Sequence, residues 1–309
     1  MKNSYNIWIP SVQKFYRFNE LTIQHSMILY KASAVSDNEF LYAMMEILRE
    51  LITDKTFSID NLTIIDKYVI FIYLTMICAN TTIKYNLNCS KCGEESTHTL
   101  NLNNLIVPLK DVIDMDYRQT ISSPPYVFHC NVPSLYKEKA ISEWYTEKDI
   151  SQNDSSNALI NFNIQSIMYI DDIDLDGVSI GYNKMSIDEQ LLVLKNISLY
   201  HISKVETQFV NQIVKLITKT PAFNTACSKE NCDYVINTKM DSVNEILRFV
   251  LVSSPETYFS EIAYFSKNHN VSPEFTIQQT TSDLRIFYEL VTKAQEPPKS
   301  PHPEFDTIQ

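Results

Sequence analysis

At 309 residues, 44% of them hydrophobic and with 18 tyrosines and 15 phenylalanines, the chain can bury a sizeable core in one or two domains, and disorder of the whole chain is excluded. It holds only three glycines, Gly93, Gly177 and Gly181, against a usual share of roughly 7%; phosphate-cradling loops need several, since only a residue without Cβ lets the backbone approach a phosphate, so neither a dinucleotide fingerprint nor a P-loop can be written anywhere. The net charge of −11, with no run of Lys or Arg, argues against a nucleic-acid binder, which needs a basic face.

Residues 1–10 lack an apolar h-region, so no secretory signal is expected. Short extended segments are predicted at 6–9 and 14–18, then a helix over 21–32. A second helix opens on Ser36 with Glu39 three residues later, a capping box in which each side chain satisfies an orphan backbone donor; Phe40, Met44, Ile47, Leu48 and Leu51 follow at helical spacing. A third helix, 64–79, is apolar on nearly all sides and therefore central to the core. Its apolar stretch is interrupted by Asp66 and Lys67 and is shorter than the ~20 residues that cross a bilayer, so no membrane insertion is expected.

Residues 81–88 alternate in the strand manner and lead into Cys89-Ser90-Lys91-Cys92-Gly93, and 97–102 alternate again, which makes a β-hairpin tipped by the cysteine pair. Residues 126–132 read as extended and 134–145 as helical, with a surface loop or insertion at 151–157. Two more capping boxes follow, Ser186 with Glu189 and Ser203 with Glu206. The second is read as opening an amphipathic helix carrying Val205, Phe209, Ile213, Leu216 and Ile217. A second cysteine tip, Cys227 to Cys232, lies between extended segments 222–226 and 234–238. Helices are predicted over 242–252, 255–267 and 282–294, with Pro255 at a first helical position. Pro297, Pro298, Pro301 and Pro303 mark a mobile tail.

The fold class is therefore α+β, mostly helical, with two cysteine-tipped β-hairpins joined in a zinc-ribbon-like site. Four parts are expected: a helical region with the first hairpin (1–106), a variable middle insertion (107–185), a second helical region with the second hairpin (186–295), and the flexible Pro-rich tail (296–309).

Six cysteines without a signal peptide, grouped as two close pairs plus Cys78 and Cys130, favour metal over disulfides in a reducing compartment. Zinc takes four thiolates in a tetrahedron, and a turn with Cys at i and i+3 brings two sulfurs to one ion. Cys89 and Cys92 fit that spacing, with Gly93 providing the backbone freedom the turn needs; Cys227 and Cys232 lie within the tolerated range. The metal would tie distant segments, which is feasible because loop-closure entropy grows only logarithmically with length. The competing readings are four unligated thiols, two disulfides, or a mixed site in which His98 replaces one cysteine. A complete thiolate shell leaves no open position for water, so the zinc is expected to be structural and no catalytic residue is assigned.

Asp172, Asp174, Asp176 and Gly177 spell the start of a calcium loop, but Asn183 stands where the bidentate Glu belongs, so an ordinary acidic turn is expected. His129 and Cys130 are neighbours on a strand and point to opposite faces, which excludes them as a nucleophile pair. His25, His201, His269 and His302 are scattered, with no H-E-x-x-H helix and no G-x-S-x-G elbow anywhere.

The order of these features resembles the baseplate hub proteins of T-even-like contractile-tailed bacteriophages. The likeness begins at Phe15-Tyr16-Arg17-Phe18-Asn19-Glu20-Leu21-Thr22, an aromatic-rich lead into the first helix. It continues through 60–74 and the run from Cys89 to Glu94, and resumes over 191–223 with Phe209, Ile213, Pro221 and Phe223. Ile246-Leu247-Arg248-Phe249 and the closing helices at 258–292 are also similar, whereas about 107–154 and the tail are left out. The resemblance implies a structural or assembly component of the hub, placed in the virion tail baseplate and in the host cytoplasm during assembly. Its partners would be other baseplate and tail proteins in a multi-copy symmetric assembly, with no chemistry performed. Trp8, Tyr16 and Trp144 are candidate interface anchors, unless they are ordinary core or half-buried aromatics. Two further classes stay open: a zinc-ribbon regulator contacting nucleic acid or polymerase through Lys84, Lys91, Lys219, Lys229 and Lys239, and an enzyme with an unrecognised site.

Overall fold

The computed structural model describes residues 3–54, 57–78, 82–105, 117–150, 155–213, 223–238, 243–252, 255–279, 283–284 and 286–287. The expected helix 282–294 and the tail fall largely or wholly outside these residues, as do Leu216, Ile217, Lys219, Pro221 and Lys239.

The chain begins with an antiparallel hairpin, β1 (Ser4–Ile9) and β2 (Lys14–Asn19), with Ile7 opposite Tyr16. Ile7, Ile9 and Phe18 turn inward and are buried. Two helices follow, α1 (Ile23–Val35) and α2 (Asp37–Leu51). Ser36 caps α2 by accepting from the Glu39 backbone N–H at 3.1 Å, the serine half of the expected box. The predicted apolar stripe of α2 is buried throughout.

Helix α3 (Ile64–Cys78) is buried on all sides, as its sequence foretold. It starts beside α4 (Leu135–Glu147): Ile64 N–H donates to the Pro133 carbonyl and Leu135 N–H to the Leu62 carbonyl. Both helices thus enter the core from one point, capped by Thr63 and Ser134. Burial on every side leaves the two charges of α3 no route to water, so each has internal partners. Asp66 accepts from Ser11 N–H at 2.9 Å, Thr63 N–H at 2.7 Å and Thr63 Oγ1 at 2.8 Å. Lys67 donates to both oxygens of Glu138 at 2.7 Å and to Asn244 Oδ1 at 2.8 Å.

The hairpin β3 (Thr82–Asn88) and β4 (Glu95–Asn101) leaves α3 for the surface. A four-stranded antiparallel sheet then forms in the order β5 (Arg118–Ser123), β6 (Tyr126–Asn131), β7 (Ile170–Leu175), β8 (Val178–Ser179). Between β6 and β7 the chain makes α4 and α5 (Ala158–Tyr169). Helix α6 (Ile187–Asn196) carries the full capping box of Ser186 and Glu189.

One expected boundary is corrected. Helix α7 (Leu199–Val205) starts at Ser198, whose hydroxyl accepts from Tyr200 N–H, and continues through a π turn at Glu206–Val210 to residue 213. Ser203 is therefore inside the helix, donating to the Tyr200 carbonyl at 3.0 Å. Val205, Phe209 and Ile213 of the predicted apolar face are buried despite the shift, because the face depends on periodicity and not on the start; Leu216 and Ile217 lie outside the described residues. The last elements are the hairpin β9 (Phe223–Ala226) and β10 (Val235–Thr238), then α8 (Val243–Leu251), α9 (Pro255–His269) and α10 (Pro273–Ile277).

One apolar cluster draws side chains from Ile7 to Leu251, including Ile121, Phe128, Ile141, Ile164 and Ile173 from the middle of the chain. A small second cluster sets Phe265 and Leu284 against Ile23 of α1. A third holds Cys89, Cys227 and Ile236, flanked by Leu87, Cys92 and Cys232. Helix predominates over strand, and the class is mixed α and β with cysteine-tipped hairpins.

Candidate metal centre

The third cluster is where the two hairpins meet. At the first tip, Cys89 N–H donates to the Glu94 carbonyl at 2.8 Å and Gly93 N–H to the Cys89 carbonyl at 2.8 Å. This folds four residues back on themselves, with Gly93 at φ +73°. The second tip repeats the closing bond, from Cys227 N–H to the Tyr234 carbonyl at 2.9 Å, and its longer turn is held by Cys232 N–H on the Lys229 carbonyl at 3.1 Å. Asn231, at φ +68°, takes the left-handed position there. The extra length of the second spacing is thereby absorbed without displacing its sulfurs.

All four Sγ atoms lie within 4.8 Å of one another. Cys92 and Cys227 approach to 3.5 Å, and Cys89 and Cys232 to 3.8 Å. Four sulfurs at the Zn–S distance of about 2.3 Å on a tetrahedron have edges of about 3.8 Å. The donor set and its spacing therefore suit a tetrahedral thiophilic ion. Cys89 and Cys227 are buried while Cys92 and Cys232 are half-buried, so the centre has an inner and an outer side.

The electrostatics point the same way. Burial works against the Cys89 thiolate, but backbone donors from Cys92 and Lys91 and the neighbouring sulfurs draw it down to about 7. The Cys227 thiol receives help from Lys229 N–H, yet burial and the crowding of Cys92, Cys232 and Cys89 push it up to about 12. Cys232 is also raised. Cys89 ionises readily while Cys227 and Cys232 resist, a conflict that a divalent cation would remove. Above the tips, Lys91 forms an ion pair with Asp233 of the other hairpin.

All four sequence-predicted ligands are thus brought together. His98 is on β4, where its ring bonds to Ser96 Oγ at 2.7 Å, and it is outside the cluster. Cys78 and Cys130 are buried in the main core, each thiol pushed up to about 12 by burial. His129 and Cys130 do point apart: Cys130 is buried, while His129 Nε2 meets Asp174 Oδ2 at 3.0 Å on the other face. Asp172, first of the calcium-like series, takes bonds from Ile173 N–H, Tyr182 N–H and Ser179 Oγ. Partial burial opposes its ionisation, but these donors hold the carboxyl below its usual range. Its oxygens are engaged in closing a turn.

Sequence reasoning missed two partners of the centre. Ile236 and Leu87 supply its apolar flank, a role that strand alternation could have shown, and the pairing of Lys91 with Asp233 needed the docked hairpins. Trp144, weighed as an interface anchor against an ordinary core aromatic, is the latter: it is buried, with its Nε1–H donating to Asp188 at 2.9 Å. Trp8 and Tyr16 are half-buried, Trp8 edge-on to Phe15 and Tyr16 tilted against Phe57.

Among families of known proteins, a model described as T4 bacteriophage base plate protein matches residues 2–241. The match includes the stretch 107–154 that the sequence likeness left out, and it ends before α8. No curated protein and no solved structure matches the chain.

Proposed function

The chain belongs to the T4 bacteriophage base plate protein family, and from that premise we propose that it is a structural or assembly component of the baseplate hub, its two hairpins stapled by one structural zinc. The family match over residues 2–241 carries the first half of this reading. The convergence of Cys89, Cys92, Cys227 and Cys232 within 4.8 Å supports the second. As a base plate protein it works against other phage tail proteins, and multiple copies would be arranged by rotational symmetry, for which closed rings are the usual solution.

Zinc held by four thiolates has no position left for water or substrate, so its contribution is to fix the hairpins in one relative pose. The reducing host cytoplasm, where assembly takes place, keeps the thiols available for the metal. The four stretches 1–106, 107–185, 186–295 and 296–309 are retained as parts of this scaffold, the first and third each bringing one hairpin. No described helix is long and apolar enough to cross a membrane.

The competing reading, a regulator that uses the tips to contact nucleic acid or polymerase, has less support. It needs free cations at the tips, and Lys91 there is paired with Asp233.

Peptide mass spectrometry of purified tail particles and of assembly intermediates tests the first half. Presence in particles marks a virion component, presence in intermediates alone marks an assembly factor, and absence from both overturns the assignment. Zinc content per chain, for wild type and Cys227→Ser, tests the second half. About one equivalent in wild type, lost in the variant together with thermal stability, is expected; no zinc in protein purified reduced would refute the staple.

A further inference from the structure

The cysteine centre has an arrangement that reaches beyond metal binding. We propose that oxidation converts the metal staple into a disulfide staple without releasing the hairpins, Cys92 joining Cys227 and Cys89 joining Cys232. The conversion rests on the zinc reading above, whereas the pairing rests on the sulfur geometry alone.

Both contacts, at 3.5 Å and 3.8 Å, run from one hairpin to the other. Reaching the S–S bond length of about 2.05 Å requires each pair to close by roughly 1.5–1.8 Å. The two pairs share no sulfur, so both bonds form together and no thiol is left over. Each pair also joins one half-buried sulfur to one buried sulfur: Cys92 to Cys227, and Cys232 to Cys89. The half-buried member is the one an oxidant reaches, and the buried member is held within contact distance to resolve it.

With a peroxide as oxidant, the outer thiolate attacks one oxygen, breaks the O–O bond and becomes a sulfenic acid while hydroxide leaves. The inner thiolate then attacks that sulfur, forming the S–S bond and expelling the second hydroxide. Each pair gives two electrons to one peroxide and, with two protons taken up, yields one disulfide and two waters. When both pairs have reacted, no thiolate remains to hold the cation, which departs as the dication. Cys78 and Cys130 do not compete, because burial in the main core keeps their thiols protonated. A particle that leaves a reducing cell for oxidising surroundings would thus keep the two hairpins joined.

The test uses the full chain, purified reduced. Native mass spectrometry first reads zinc in the starting protein; its absence would sink the zinc reading, and the pairing is then judged separately from the bonds formed. Hydrogen peroxide is titrated in, remaining thiols are alkylated, and the protein is digested without reduction. Cleavage after Lys91 and Lys229 puts each of the four cysteines on its own peptide, so every pairing has a distinct mass. Loss of the bound zinc together with cross-linked peptides for Cys92–Cys227 and Cys89–Cys232 is expected. Bonds within a hairpin, Cys89–Cys92 or Cys227–Cys232, would overturn the proposal, as would the crossed pairing or sulfinic acids in place of disulfides.

Discussion

Gly93, directly after Cys92, stands at φ +73°, and Asn231, directly before Cys232, at φ +68°. Each turns its tip back toward the strands, but the two residues differ in what the left-handed region demands of them. An alanine at 93 would meet nothing within 4 Å, so its penalty is purely that of the backbone, about 1–2 kcal/mol. Gly93→Ala is therefore expected to weaken zinc binding by roughly tenfold, since 1.4 kcal/mol is a factor of ten, as measured by competition with a chromophoric chelator. Asparagine tolerates this region by hydrogen-bonding locally. Asn231→Gly should thus change the affinity by no more than about twofold, the lost restriction of the unfolded chain offsetting the relief. Equal losses in both variants would show that the tips do not depend on the left-handed residues in this way.

Among the elements, the crossing of α3, α4 and α8 is fixed by polar contacts inside an apolar setting. Lys67 is fully buried and Glu138 almost so, and Asn244 of α8 closes the group by donating to Glu138 Oε1 at 3.1 Å. Burial lowers the Lys67 ammonium, while Glu138 acts to keep it charged. Removing one member strands the other: Lys67→Met should cost about 3–5 kcal/mol, and Lys67→Met with Glu138→Leu should recover most of that, because a buried pair barely repays its own desolvation. Denaturant midpoints at unchanged slope check both values; a double variant as unstable as the single one would mean that the pair itself, and not the orphaned charge, sets the loss. The start of α7 gives a second test. Ser198→Ala, which removes the cap, is expected to cost about 0.5–2 kcal/mol, whereas Ser203→Ala, inside the helix, should be near neutral; the opposite ranking in thermal melts would restore the later start. These two cases show what the sequence disclosed and what it withheld. The burial of α3 was readable from its unbroken apolar surface, and Lys67 was visible as an interruption, but its partners are 71 and 177 residues away. A Ser-x-x-Glu pattern at 203–206 was equally visible, yet the backbone had already been capped at Ser198, so the local signal lost to an earlier one. Helix α5 and strands β5, β7 and β8 gave no helical or strand period of their own: residues 160–165 within α5 alternate apolar and polar in the strand manner, and the apolar runs of the strands are too short.

For the whole molecule, the cysteine cluster was the most legible feature, since the spacing within each cysteine pair is a local property and thiolate chemistry accepts few alternatives. What spacing could not show is how the hairpins attach to the rest. The cysteine cluster is separate from the main core, which is built from Ile7 to Leu251 without any of the four cysteines. Of the second hairpin's described side chains, Ile236 packs in that small cluster beside Cys89 and Cys227. A staple placed there restrains the hairpin and the segments leading to it but is not needed to assemble α2, α3 and α4. Removing the proposed zinc should therefore open the molecule locally before it unfolds globally. Hydrogen exchange of the zinc-loaded chain, with and without a strong chelator, measures this directly. Amides of β9 and β10 are expected to lose protection on chelation, by a factor that grows with the affinity lost, while those of α3 keep theirs. Cys227→Ser should reproduce the same pattern without chelator. Loss of protection in α3 to the same extent would mean that the metal holds the global fold, and the scaffold would then be one cooperative unit from the first hairpin to the last. Retention of protection in both places after complete zinc removal would mean that Ile236, Leu87 and the Lys91–Asp233 pair suffice to dock the hairpins, and the metal would then add rigidity to an interface already formed.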